Sequence, residues 1–199
     1  MPTSCFTIDD QYGCYFITFT TVGSVDVFTR KRLRDLVISS LKYCIDHKGL
    51  ILYGYVIMSN HIHIIARATK ESTGISSILR DFKKFTSTRI IKFVLNNTLE
   101  RRGEWLEVIF RYHAKYNSNN TTYQVWTQRN YSKATIFPKF TMQKLNYIHN
   151  NPVKAGIVDS SVDYPYSSAR NYDLRTDILL PVTLLDFGAS EGFLYMPNF

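Results

Sequence analysis

The stretch Ile51 to Ala66 limits what this chain can fold into more than any other part of it. It is dense in β-branched and aliphatic residues and is interrupted by Ser59-Asn60, which predicts two strands joined by a tight connection. Side chains alternate between the two faces of a strand. Ile62 and Ile64 are therefore expected to enter a core, while His61 and His63 share the opposite face. Two imidazoles so placed admit two readings: polar groups on a solvated strand face, or half of a site for a divalent metal.

Around this hairpin the pattern predicts a strand over Tyr15 to Thr21 and a helix over Arg30 to His47, with Leu33, Leu36, Val37 and Leu41 inward. Lys48-Gly49 ends that helix, and Thr73-Gly74 opens a second with the apolar stripe Ile75, Ile78, Leu79, Phe82, Phe85, Ile90 and Ile91. A third helix is expected over Trp105 to Tyr116, then a polar loop from Asn117 to Thr122 and one or two short strands within Tyr123 to Phe137. Phe140 to Asn151 has helical spacing through Phe140, Leu145 and Ile148; Pro152 is expected to terminate it and to fray the helix at Asn151. This order predicts an α+β fold, a ferredoxin-like antiparallel sheet with helices packed on one face. The 199 residues suffice for one sizeable core, so a single domain over 1–199 is expected. Its tail from about residue 160 carries Ile178-Leu179-Leu180 and Leu184-Leu185 and is expected to pack.

Charge narrows the partners. The formal net charge is +8, and the cations are spread along the chain: Arg30, Lys31, Arg32 and Arg34 early, Arg80, Lys83, Lys84, Arg89 and Lys92 in the second helix, then Arg101-Arg102. Such a distributed surface suits tracking of a nucleic-acid backbone, although a merely basic protein would show the same count. Cys5, Cys14 and Cys44 lack Cys-x-x-Cys spacing, which argues against a structural zinc site and a disulfide framework. The first residues lack the basic and apolar regions of a signal peptide, and no stretch has membrane-span length, so a cytoplasmic protein without a membrane partner is expected.

A second motif lies at Leu145-Asn146-Tyr147-Ile148-His149-Asn150-Asn151-Pro152-Val153-Lys154-Ala155-Gly156. Tyr147 and Asn151 are four apart and share a helix face with Lys144. Taken alone, a tyrosine here reads as an amphipathic packed side chain, Lys144 as a solvated charge, and His149 as structural or surface. Together with Tyr15-Phe16-Ile17-Thr18-Phe19-Thr20, Val56-Ile57-Met58-Ser59-Asn60-His61-Ile62-His63, Gln124-Val125-Trp126-Thr127-Gln128 and Tyr164-Pro165-Tyr166-Ser167-Ser168-Ala169-Arg170-Asn171-Tyr172, the motif resembles the single-tyrosine HUH transposases. The resemblance is closest to their REP-associated tyrosine transposase branch. Ser59 stands where relatives usually carry proline, and the polar stretch Arg101 to Thr122 looks like an insertion.

The resemblance implies a metal-dependent enzyme that cleaves and rejoins single-stranded DNA through a 5′-phosphotyrosine. Tyr147 would be the nucleophile, with His61, His63 and Asn151 holding Mg²⁺ or Mn²⁺. Arg80, Lys83, Lys84, Lys92 and Lys144 would contact the DNA, a single strand or a hairpin from palindromic repeats, with a homodimer left open. Two other readings stay beside this one: a domesticated or inactive protein that binds single-stranded or hairpin nucleic acid, and a metal-dependent nuclease that activates water.

Overall fold

The computed structural model describes residues 7–96, 101–117 and 122–187. In chain order it contains β1 (Tyr15–Thr20), α1 (Lys31–Lys48), β2 (Leu50–Ile57), β3 (His61–Ala68), α2 (Ile75–Asn96), α3 (Gly103–Ala114), β4 (Tyr131–Ala134), α4 (Pro138–Lys154) and α5 (Ala169–Tyr172). The strands form one antiparallel sheet in the order β2-β3-β1-β4, in keeping with the ferredoxin-like α+β class expected from the sequence. Part of the Asn117–Thr122 loop, the end of the C-terminal tail and Cys5 lie outside the described residues.

Alternation along the two central strands divides the sheet. Ile17, Phe19, Ile62 and Ile64 have no exposed surface and face α1 and α2; the Phe82 ring of α2 meets Phe19 at 5.2 Å. Burying four such side chains contributes on the order of 6–12 kcal/mol of apolar transfer free energy. The expected layer of helices on one face is thus α1 with α2. The tyrosine helix α4 takes the opposite face, the one that carries the histidines, where Leu145 presses on Gly54 and the Tyr147 ring meets Phe16.

Three local expectations change. Phe85 is 47 % exposed, and Thr86 is buried in its place. A hydrogen bond sets that rotation of α2: Trp126 Nε1 donates to Thr86 Oγ1 at 3.0 Å, while the threonine hydroxyl donates to the Phe82 carbonyl at 2.7 Å. α4 begins at Pro138 and runs through Pro152 to Lys154, so Asn151 lies in a closed turn instead of a frayed end. Proline removes one donor, but the Ala155 N–H reaches the Asn151 carbonyl at 3.0 Å and the Ile157 N–H reaches that of Pro152 at 2.9 Å. Lys83, named from the sequence as a DNA contact, points at the segment before β4. Its ammonium donates to the carbonyls of Thr127 at 2.7 Å and Gln128 at 3.4 Å, and to Asn130 Oδ1 at 3.1 Å. Burial pushes its pKa down to about 8.

The C-terminal segment closes the free edge of β2. Ser167 bridges Val56, the Ser168 N–H donates to the Tyr55 carbonyl, the Thr183 N–H to that of Leu52, and the hydroxyls of Tyr164 and Tyr172 to those of Ile57 and Tyr53. Cys14 and Cys44 are buried free thiols. Among the described residues no helix is long and apolar enough to cross a membrane.

Two measurements test this packing. A Cβ at Gly54 would lie 2.7 Å from Leu145 Cδ1, so Gly54→Ala should cost about 1–3 kcal/mol in urea unfolding. Adding Leu145→Ala should then cost less than Leu145→Ala costs alone, by at least ~0.5 kcal/mol; strict additivity would refute the contact. Lys83→Met should cost about 1 kcal/mol at neutral pH, against less than about 0.5 for Lys84→Ala. The folded ammonium titrates near 8 against an ordinary 10.5, so the unfolded chain holds more protons between those values. Wild-type stability should accordingly rise across that pH window relative to Lys83→Met; parallel curves would count against a desolvated ammonium.

Candidate active site

The two histidines stand side by side on β3, their ring centroids 4.7 Å apart. Neighbouring residues orient each ring. The register sets Thr18 opposite His63, with the threonine Oγ1 2.8 Å from His63 Nδ1, and Phe16 stacks on the same ring at 5.2 Å. His61 Nδ1 lies 2.6 Å from Asn60 Oδ1. The Asn60 carboxamide is held by its own Nδ2, which donates to the Ser24 carbonyl at 3.1 Å. A carboxamide oxygen only accepts, so His61 Nδ1 is the donor and its Nε2 keeps a lone pair. His63 Nε2 is buried without a hydrogen-bond partner among the described residues.

Burial pushes the pKa of His61 down, and burial, then the proximity of His61 and Lys144, pushes His63 down to about 3. Both rings are therefore neutral at pH 7, the state in which imidazole binds a cation. A buried, unpartnered Nε2 beside a second imidazole with a free lone pair fits a divalent ion. No third His, Cys, Asp or Glu joins them among the described residues, so other ligands would have to be amide, water or substrate oxygens.

α4 lays Tyr147 over this pair. Its ring centroid is 5.2 Å from that of His63 and 6.1 Å from that of Phe16, and the residue is 39 % exposed. Lys144, a turn earlier, holds its ammonium 4.9 Å from the Phe16 ring centroid and 5.5 Å from that of Tyr147. It is more than a solvated charge, and burial followed by the nearby Lys133 pushes its pKa down. Lys154 places a second ammonium 5.9 Å from the Tyr147 ring centroid. Asn151 sits one turn beyond Tyr147, half-buried, with its carboxamide making no hydrogen bond among the described residues.

His149 is a half-buried anchor of this helix. Its Nε2 lies 2.9 Å from Ser168 Oγ, which accepts the Tyr55 N–H at 2.9 Å, and its ring packs against Tyr172. Burial pushes its pKa down to about 4. Together with Leu145 in the Gly54 niche, this bond ties the tyrosine helix to β2.

The remaining cations named from the sequence do not join this cluster, since α2 lies beneath the other face of the sheet. Arg80 and Lys84 are exposed and, with Lys83, Tyr123, Gln128 and Asn130, line a groove of about 910 Å³ between α2 and the segment before β4. Arg80 also contacts Ser77 and Asp81. Lys92 is exposed farther along α2, beside Arg32 and Arg89. Sequence reasoning missed Thr18, Asn60, Phe16 and Lys154. The signals exist: Phe16 and Thr18 are two apart on a strand, Asn60 adjoins His61, and Lys154 follows Tyr147 by two helical turns.

The profile of the IS200-like transposases matches residues 11–128. Among solved structures, the REP-associated tyrosine transposase bound to a REP hairpin superposes with a TM-score of 0.59 at 20 % identity, over 95 % of this chain and 97 % of that one. A transposase structure from Deinococcus radiodurans aligns with a TM-score of 0.43 at 16 % identity, over 75 % of this chain and 97 % of that one. No curated protein gives a significant match. The matched profile spans more than half of the chain and includes His61, His63 and the strands that carry and support them, so the chain belongs to the IS200-like transposase family of DNA-transposition enzymes.

Proposed function

We propose that this chain cleaves and rejoins single-stranded DNA with Tyr147 as nucleophile. The observation that carries the reading is the Tyr147 ring 5.2 Å from the ring of His63, whose Nε2 is buried and unpartnered. The phenolic oxygen bonds to phosphorus, the bond from phosphorus to the 3′ oxygen breaks, and that oxygen leaves as a hydroxyl. The product is a 5′-phosphotyrosine with a free 3′ end. One ester replaces another, so a returning 3′ hydroxyl reverses the step without an energy source. A phenol of pKa about 10 is a weak nucleophile at neutral pH. The ammonium groups of Lys144 and Lys154 stand beside the ring, where they would attract the negative charge of an incoming phosphate. A divalent ion, Mg²⁺ or Mn²⁺, held by His61 and His63 with Asn151 as a further ligand, would neutralise charge on the non-bridging phosphate oxygens as a Lewis acid.

The partner we assign is single-stranded or hairpin DNA. A net charge of +8 and a structural relative solved with a REP hairpin support it. Arg80, Lys84 and Lys92 are the cations we assign to backbone contacts, on the face of the sheet away from Tyr147. Tyr147 and His63 meet within one chain, which supports a site that serves its own subunit.

Tyr147→Phe should abolish the covalent adduct with an end-labelled single strand on denaturing gels and leave binding unchanged. An adduct from the Phe variant would mean that another residue attacks. His61→Ala and His63→Ala should each lose the adduct at least ~100-fold, since outer contributions alone to such sites are worth 10–100-fold. Full cleavage by either variant, or by the wild type in chelator, would defeat the metal assignment. Binding without any adduct from the wild type would favour the inactive binder.

Hairpin affinity should also fall with salt, and Arg80→Ala, Lys84→Ala and Lys92→Ala should each reduce the slope of log affinity against log salt by about 0.7–0.9. The loss should be alike for every sequence, as phosphate contacts do not read bases. A loss confined to one sequence would make these residues base readers instead.

A further inference from the structure

α3 buries Leu106, Phe110 and Ala114 and turns a second apolar stripe outward. Along α3 and the turn after it, Trp105 is 49 % exposed, Val108 65 %, Tyr112 55 % and Tyr116 74 %. Offsets of three, seven and eleven residues keep all four on one side of a helix. Tyr112 and Tyr116 contact each other edge to face, with centroids 5.1 Å apart. Three rings open to solvent in one line have no role in the core and none at Tyr147.

Charge and continuity identify what the stripe fits. Arg101 at one end and Lys115 at the other are exposed, with no acidic partner among the described residues. Glu107 is neutralised by Arg111 at 2.8 Å, and Glu104, exposed beside Trp105, is the other acid of α3, outnumbered by Arg101, Arg111 and Lys115. The stripe leads into the basic groove: Asn117, next after Tyr116, lines it, as does Tyr123, whose ring lies under the Arg111 guanidinium at 4.6 Å. Flat rings bordered by cations and continuous with a cationic groove suit the bases of an unpaired strand, because every base has a face to stack and every linkage a phosphate to neutralise. We propose that α3 is a stacking platform for unpaired nucleotides adjoining the DNA held in that groove, an inference that rests on the DNA-processing function proposed above.

Tryptophan emission isolates the platform. Trp126 is buried but also lines the groove, so the part of any emission change that Trp105→Phe removes, on adding a short unpaired oligonucleotide to the full chain, reports Trp105. Quenching is expected in the wild type and should vanish in Trp105→Phe. Tyr112→Ala and Tyr116→Ala should each weaken binding of the unpaired strand about tenfold, while a blunt hairpin without an unpaired tail binds as before. Absent quenching, unchanged affinity, or an equal loss for the blunt hairpin would overturn the proposal. So would a concentration-dependent dimer dispersed by Val108→Lys in sedimentation, which would make the stripe a contact between copies of this chain. The adduct assay run alongside separates the two readings. Adduct formation with no effect at the stripe removes the platform alone, whereas quenching and affinity loss without any adduct keep the platform and remove Tyr147 as nucleophile.

Discussion

The antiparallel pairing of β1 with β3 puts Thr18 opposite His63 and Thr20 opposite His61, and the arrangement of the site follows from that register. A slip of one residue would send both histidines into the layer beneath α1 and α2 and turn Ile62 and Ile64 toward Tyr147. Exposing those two isoleucines alone would cost about 3–6 kcal/mol, well above any gain from regrouping polar side chains. The apolar face therefore dictates the polar one. The chain specifies where its imidazoles stand by specifying where its isoleucines are buried.

α4 then acts on this fixed face in two ways. It brings Tyr147 to His63, and it helps to bury that ring, whose pKa burial lowers. Without that roof water would reach His63 Nε2 and remove the desolvation that lowers its pKa. The attachments of the helix lie to one side of the rings, in Leu145 against Gly54 and in the His149–Ser168–Tyr55 hydrogen bonds. The side turned to solvent keeps the Tyr147 ring and two ammonium groups within reach of a ligand.

The features legible in the sequence were those encoded by periodicity. The step of two separates His61 and His63 from Ile62 and Ile64, the apolar spacing marks α1, α2 and α4, and Gly49 in the left-handed region (φ 72°) stops α1 where its position suggested. The features that stayed hidden depend on partners distant in the chain. Phe85 and Thr86 exchange roles because of an indole forty residues away, and Lys83 turns inward to carbonyls that its own helix cannot reveal. Which face α4 covers is equally invisible along the chain, since Gly54 and Leu145 acquire meaning only as a pair. Pro152 misled for a local reason: one missing donor near a helix end is tolerated when the next amides still close the turn.

The strap along β2 also bears on how the protein comes to be made. Its bonds join residues more than a hundred positions apart, such as Tyr55 with Ser168 and Tyr53 with Tyr172. Contacts of that span are the slowest to form and have no counterpart until the later residue has left the ribosome. The hairpin bearing the histidines can assemble early, whereas the outer strand stays unsealed until nearly the whole described chain has been translated. The tyrosine helix, anchored through that same Ser168, is secured only then. A nascent chain therefore acquires its two imidazoles well before a firmly seated tyrosine, and the site is assembled only once Ser168 has left the ribosome.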